Sequence, residues 1–278
     1  MTGIILKPRI GVMFVKLKCW LKIINNMGHV DHIDERGKSL PSVSSIPAIF
    51  AKDMSGFEDW ICRGLHETEA RCCTKAKREY YQEQADLGND IHSLRESFLQ
   101  GEAFTEGVPE YHAQVFEPIA RFYKESGYKP LVLMGPTRNS GPLEAIELKM
   151  TGKEFGGTLD GAGTFSVPFW EKQRKTFWAD DIGKLSRTFP GFEPLTTNDI
   201  VIEDLKIKSK LDPLHPLQLY GYSLLLKEVY GIHAMWGLII RREKKLDKKP
   251  EIQLKGYYLP AYKEQWDAAM LMWRFLNA

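Results

Sequence analysis

Apolar side chains recur at three- and four-residue steps over residues 56–100, where Phe57, Trp60, Ile61 and Leu65 are followed by Tyr80, Tyr81, Leu87, Ile91, Leu94 and Phe98. Such spacing gathers them on one stripe and predicts helix. A second helix is predicted over 110–125, with Val115, Ile119, Phe122 and Tyr123 on its inner face and Gly127 as its stop. From Pro130 the period shortens. Residues 131–134, 143–150, 155–165 and 199–209 read as strands from their alternation, β-branched content and flanking Gly or Asn. Helical spacing returns over 214–230, residues 232–241 and 251–258 form a strand pair, and Pro260 opens a last amphipathic helix bearing Trp266, Met270 and Trp273. Ahead of the first helix, the string 40–46 combines Pro41 with Ser42, Ser44 and Ser45, hydroxyls suited to capping.

This order describes an α/β chain. It divides into an N-terminal extension with a first strand (1–36), a helical region (37–128) and a core (129–278). At 278 residues the chain can bury a sizeable core as one elaborated domain. Hydrophobic residues at 43% and charged residues at 27% exclude a collagen-like or wholly disordered polymer. With a net charge of only +2, any affinity for nucleic acid must come from a local basic surface. Lys and Arg interrupt every apolar run, which argues against a membrane span.

The cysteines Cys19, Cys62, Cys72 and Cys73 lie early and two are adjacent, a pattern of a reducing compartment rather than of a disulfide framework. Cys62, His66, Cys72 and Cys73 match no structural zinc spacing, so buried thiols are expected. Before Asp31 there is no acidic residue, while Lys7, Arg9, Lys16, Lys18 and Lys22 punctuate apolar runs. That bias suits either a transit peptide or ordinary basic strands, and Met27, just ahead of a strand over 29–33, is an alternative start.

The chemistry concentrates in Val201-Ile202-Glu203-Asp204-Leu205-Lys206-Ile207. Side chains two apart on a strand share a face at about 6.5 Å, so Asp204 and Lys206 point together while Leu205 and Ile207 point into the core. A carboxylate beside an ammonium on a rigid element suits a metal ligand next to a group that handles water; a surface ion pair has the same pattern. Glu203 falls in the apolar phase and is not expected to bind metal. In Phe155-Gly156-Gly157-Thr158-Leu159-Asp160-Gly161-Ala162-Gly163 the glycines mark a bulge, a turn or a close approach, placing Asp160 where a phosphate can come near. Two such carboxylates on neighbouring strands would hold a hard divalent ion. Gln218 and Tyr222 share a helix face, as do Gly88 and His92, and Gly88 within a helix implies that something packs closely there.

Taken in order, Gly88-x-x-x-His92, Gly157-x-x-Asp160, Asp204-x-Lys206 and Gln218-x-x-x-Tyr222 resemble the RecB-like nucleases of the PD-(D/E)XK superfamily, which include phage-type and mitochondrial genome maintenance exonucleases. The likeness spans roughly residues 37–243, and the 40–46 string is similar to the leader of the phage members. It implies a restriction-endonuclease-like core, a central mixed β-sheet of about five strands flanked by helices, with an N-terminal helical region over the active site. It further implies that Asp160 and Asp204 bind Mg or Mn, with His92 and the Leu205 carbonyl completing the ligands. Lys206 would position or activate water, Gln218 and Tyr222 would steady the site, and Glu147 would support the ligands. Imidazole is softer than Mg usually takes, so Mn is expected to serve at least as well.

The activity implied is metal-dependent DNA exonuclease action on single-stranded or end-processed DNA in replication or recombination, alongside partner proteins of that machinery. The cell compartment implied is bacterial or phage-infected cytoplasm, or else the mitochondrial matrix. An endonuclease of restriction or resolvase type, or a non-catalytic DNA-binding accessory protein, are the competing readings. Phosphodiester hydrolysis needs neutralised non-bridging oxygens, a nucleophilic water and a stabilised leaving oxygen, which metal ions supply. Lys208 and Lys210 continue the phase of Lys206, as a basic stripe for the nucleic-acid backbone or as a solvated strand end.

Two features depart from the family. Asp160 and Asp204 stand much farther apart in sequence than its paired acids, so residues at about 167–197 must form an insertion. Its Phe169, Trp170, Phe177, Trp178, Phe189 and Phe192, interleaved with Lys172, Arg174, Lys175 and Arg187, suit base stacking or a flap packed on the core. Some relatives also hold an iron-sulfur cluster with three cysteines after the core, but no cysteine follows Cys73, so no such cluster is expected.

Overall fold

The computed structural model of the chain describes residues 32–34, 36–37, 39–47, 68–102, 108–134, 141–166, 179–190, 192, 195–196, 198–207, 214–242 and 252–277. Among them run β1 (His32–Ile33), β2 (Ser39–Leu40), α1 (Thr68–Leu99), α2 (Glu110–Ser126), β3 (Lys129–Pro130), β4 (Val132–Met134), β5 (Pro142–Glu144), β6 (Ile146–Thr151) and β7 (Gly156–Thr164). They are followed by α3 (Ala179–Thr188), β8 (Val201–Ile207), α4 (His215–Tyr230), β9 (Trp236–Arg242), β10 (Ile252–Tyr258) and α5 (Lys263–Asn277). Helix ends fall where the sequence supplies glycine. Gly127 and Gly231 close α2 and α4 in the left-handed region, at φ 60° and 71°, and the Gly231 N–H returns to the Lys227 carbonyl at 2.9 Å.

The protein is mixed α/β around a mixed central sheet of six strands. Their order is β10-β9-β8-β7-β3, with β6 also paired to β7. β8 and β9 are parallel and joined through α4, whereas β6–β7, β7–β8 and β9–β10 are antiparallel. Burial on both faces explains the apolar density of the centre. On one face, Ile202 and Ile239 join Leu148, Met150, Leu159 and the inner sides of α4 and α5, including Leu219, Leu225 and Trp266. On the other, Val201, Leu205, Ile207, Leu238 and Ile240 meet Leu87, Ile91 and Leu94 of α1 and Val115, Phe116, Ile119 and Tyr123 of α2. Each fully buried side chain of this size contributes about 1.5–3 kcal/mol. Within the predicted helical region, α1 and α2 form one wall of the sheet's own core. None of the described helices is long and apolar enough to cross a membrane.

Several boundaries differ from expectation for identifiable reasons. The strand expected over 143–150 breaks at Ala145, which is fully buried; its N–H donates to the Leu131 carbonyl and its carbonyl accepts from Ala162, so β5 leaves the sheet to pair with β4. Residues 232–235 stay irregular and β9 starts at Trp236, opposite Tyr258. Pro260 lies in a 3-10 turn, Leu259–Tyr262, before α5. The serines of the leader bond within it, Ser42 Oγ with Ser44 Oγ at 2.9 Å and Ser45 Oγ to the Ser42 carbonyl at 2.8 Å, closing a turn. That turn drives Val43 and Ile46 into the core while Val43 N–H bonds the Gly156 carbonyl at 2.7 Å.

The close packing expected at Gly88 is absent. Beyond its chain neighbours and the adjacent backbone of its own helix, none of the described atoms lies within 4 Å of where its Cβ would stand, whereas a Cβ at Gly221, on α4, would collide with Trp266 and come within 2.8 Å of Val43. Both are helix-interior glycines with the same propensity to gain from alanine, so free space decides the sign. Gly88→Ala is expected to stabilise the protein by about 1 kcal/mol, and Gly221→Ala to destabilise it by about 1–3 kcal/mol through overpacking, as read from urea-denaturation midpoints.

Candidate metal centre

The sheet opens at one point. The ladder between β7 and β8 runs Gly163↔Val201, Ala162↔Ile202 and Gly161↔Glu203, and stops. Asp160 and Asp204 are the next residues on the two parting strands. Asp160 Oδ2 bridges the gap by accepting the Leu205 N–H at 2.9 Å. Because a strand residue's N–H and C=O leave on the same edge, the Leu205 carbonyl faces this opening too. On the far edge of β7 the register sets Glu147 of β6 opposite Asp160, between the pairs Ile146↔Gly161 and Leu148↔Leu159. Glu147 has φ 46°, a left-handed backbone that costs a residue with a Cβ about 1–3 kcal/mol and that persists where surroundings over-determine it.

Across this opening α1 lays His92 and, one turn on, Arg95. His92 Nδ1 lies 2.9 Å from Glu147 Oε1 and 3.7 Å from Asp160 Oδ2. The three residues offer ligand atoms within 4.8 Å of one another, close enough for one ion to bind all three. Asp204 borders them, 1% exposed, with Oδ1 accepting Lys206 Nζ at 2.6 Å and Oδ2 buried without a hydrogen-bond partner among the described residues. A buried, unpaired carboxylate oxygen is costly unless a cation or proton meets it. Burial first, with Asp160 adding to it against the opposing pull of Lys206, pushes Asp204 up from 3.8 to about 6. One imidazole nitrogen among carboxylate oxygens is a donor set that suits Mn or Mg, so the residues present fit a divalent ion.

Lys206 is held as a cation. Burial works against its charge, but Asp204 and then Asp160 outweigh it and raise the ammonium above its usual 10.5. That favours donating hydrogen bonds over the role of base. Tyr222 reaches the site from α4, its hydroxyl accepting Gln218 Nε2 at 3.2 Å, and burial followed by Asp160 and Asp204 pushes its phenol upward. The predicted residues His92, Asp160, Asp204, Leu205, Lys206, Gln218 and Tyr222 are thus gathered in one region. Lys208 and Lys210 lie outside the described residues.

A buried network around Arg95, a residue without a role in the sequence reading, holds the site from behind. Arg95, fully buried, donates to Tyr123 OH at 2.7 Å, to the Asp160 carbonyl at 2.8 Å, to Glu147 Oε1 at 3.2 Å and to Glu203 Oε1; Tyr123 OH in turn donates to Glu203 Oε2. Their signal was present as a pair of misfits: Arg95 stands in the apolar stripe of α1, and Glu203 in the apolar phase of β8. Opposite charges in two apolar phases call for each other. The glycines around Asp160 also gain a different explanation, since the close approaches belong to the protein itself. A Cβ at Gly161 would collide with Arg95 and Glu203, and one at Gly157 would stand 2.7 Å from Tyr222.

Of the insertion, Phe189 and Phe192 lie against the core, Phe192 with ring centroids 5.1 Å from Tyr258 and 5.8 Å from Trp236. This packing is that of a flap on the core. Phe169, Trp170, Lys172, Arg174, Lys175, Phe177 and Trp178 lie outside the described residues, as do Cys19, Cys62, His66 and the side chains of Cys72 and Cys73. A scan of protein-family models finds none that matches this chain, and a search of curated proteins finds no similar sequence.

Burial lowers the proton affinity of His92, but Asp160 and then Glu147 outweigh it and carry the imidazole from 6.5 to about 9. A raised value in the folded state means stability that is complete below pH 6.5 and is lost as pH rises through 9. In chelator, urea midpoints of the protein are expected to fall across that window, and those of His92→Gln to stay flat. At Glu147, glycine tolerates φ 46° where alanine does not. Glu147→Gly is expected to be more stable than Glu147→Ala by about 1 kcal/mol in the same assay.

Proposed function

We propose that this chain is a metal-dependent nuclease that hydrolyses DNA phosphodiester bonds, acting from ends on single-stranded or end-processed DNA. The observation that carries the reading is that Asp204, bonded to Lys206, adjoins Asp160 where β7 and β8 part, beside the possible ligand group of His92, Glu147 and Asp160. The order of elements supports it as well: a helix bearing His92, strands of a mixed sheet bearing Asp160 and then Asp204 with Lys206, and a helix bearing Gln218 and Tyr222, the order of the motifs that carry the RecB-like resemblance.

His92, Glu147, Asp160 and Asp204 would hold the cation, with the Leu205 carbonyl as a further oxygen. When bound, a divalent cation neutralises non-bridging phosphate oxygens and acidifies water. The protein's own groups do the rest. The Lys206 ammonium, anchored on Asp204, offers donors to the charge that develops on the phosphate and orients the attacking water. Asp204 loses its proton only above about pH 6, so the fully ionised acid set is a neutral-to-alkaline state. Tyr222 stays a neutral hydroxyl, anchored by Gln218, a donor at the edge of the acid cluster.

The test incubates the full chain with end-labelled single- and double-stranded DNA in Mn, Mg or chelator and reads product lengths. Mononucleotides or short oligonucleotides released from ends are expected in Mn and Mg, and none in chelator. Lys206→Ala is expected to lower kcat about 100- to 10,000-fold while Mn still binds. Asp204→Ala should lose both. Degradation untouched by Asp204→Ala would place the chemistry elsewhere.

A further inference from the structure

Arg95 is fully buried and, in the reaction above, meets no substrate, yet it bonds four separate elements. From α1 its Nε reaches Tyr123 on α2, one terminal nitrogen reaches both Glu147 on β6 and the Asp160 carbonyl on β7, and the other reaches Glu203 on β8. These are the elements whose relative placement creates the metal centre. Glu147 Oε1 is shared between Arg95 and His92, so the same guanidinium that meets Glu203 also fixes one carboxylate of the ligand cluster. Its bond to the Asp160 carbonyl pins the β7 backbone at the residue where the β8 ladder has just ended. A planar fork with five fixed donors can satisfy this set at once, whereas the compact ammonium of lysine cannot.

We propose that Arg95, anchored by Glu203, is the positioning residue of the metal centre: it holds the Glu147 carboxylate and the Asp160 main chain where one cation binds both. The proposal rests on the metal-centre reading above. A purely structural role makes a different claim, that Arg95 and Glu203 only neutralise each other, and then any change that removes both buried charges together should be harmless.

The experiment measures Mn binding to the full chain, by the loss of the free-ion EPR signal, for the wild type and three variants whose folding is checked by circular dichroism. Arg95→Lys keeps the charge opposite Glu203. Arg95→Met with Glu203→Met removes both charges and leaves an apolar interior, a replacement that buried pairs often tolerate. Tyr123→Phe removes a hydroxyl from the same network without touching Glu147 or Asp160.

Arg95→Lys and the double variant are expected to fold and to bind Mn about 10- to 100-fold more weakly, the usual cost of losing a ligand's support. In Arg95→Lys, kcat at saturating Mn should recover to within a few fold of the wild type, because the loss lies in metal affinity. Tyr123→Phe should melt earlier yet bind Mn within about twofold. Wild-type affinity in a folded Arg95→Lys or double variant overturns the positioning role and leaves the metal centre standing; if the double variant does not fold, Arg95→Lys decides. A wild type that binds no Mn overturns both. A wild type that binds Mn but leaves DNA intact overturns the nuclease reading alone.

Discussion

Moving the Arg95 guanidinium and the Glu203 carboxylate out of water costs several kcal/mol per ion before any attraction is counted. Both are fully buried here, between the α1 stripe and the sheet, so they are tolerable to the fold in one arrangement, facing each other with their remaining donors and acceptors filled. Tyr123 fills part of that need, and the Glu147 carboxylate and the Asp160 carbonyl fill more of it. The pair therefore fixes the height and rotation of α1 against β7 and β8. His92, three residues before Arg95 on the same helix, is delivered to Glu147 and Asp160 as a consequence. Gly161 completes the arrangement by leaving room above the pair that any Cβ would fill.

The two faces of β8 divide the electrostatics. Glu203 on one face is closed off by Arg95 and Tyr123; Asp204 on the other accepts from Lys206 through Oδ1 and, among the described residues, has no hydrogen-bond donor at Oδ2. Neighbouring acids of one strand thus have opposite fates because side chains alternate. The satisfied acid builds the wall, and the unsatisfied one borders the opening. Burial raises Asp204, with Asp160 adding to it against Lys206, while at Lys206 and His92 the neighbouring carboxylates outweigh a burial that opposes their charge, so perturbed groups gather at this opening.

Rigidity comes from the apolar clusters on either side. α4, the leader turn and α5 close one face around Trp266, while α1 and α2 close the other around Phe116 and Ile119. Between two packed layers, β8 and β9 have little freedom, and side chains carried by them keep their spacing. The departure of β7 from β8 is then a defined gap rather than a frayed edge, since Asp160 Oδ2 and the Leu205 N–H still tie the strands across it.

Much of this was legible in the linear chain. The helical stripe around Leu87 to Phe98, the glycine stop at Gly127, the strand phase of Asp204 and Lys206 and the place of Glu203 on the apolar face all follow from local period. These depend on φ and ψ preferences and on side chains a few positions apart, which the covalent order fixes directly. Hidden from that reading were the Arg95–Glu203 pairing, the left-handed backbone of Glu147, the break at Ala145 and the reason for Gly161. Each depends on which helix face meets which strand after the layers close, and the partners are far apart along the chain. Period two and period 3.6 assign a side chain to a face; only burial of both faces at once decides what that face touches, because a charge inside an apolar layer has no tolerable place except beside its counter-ion.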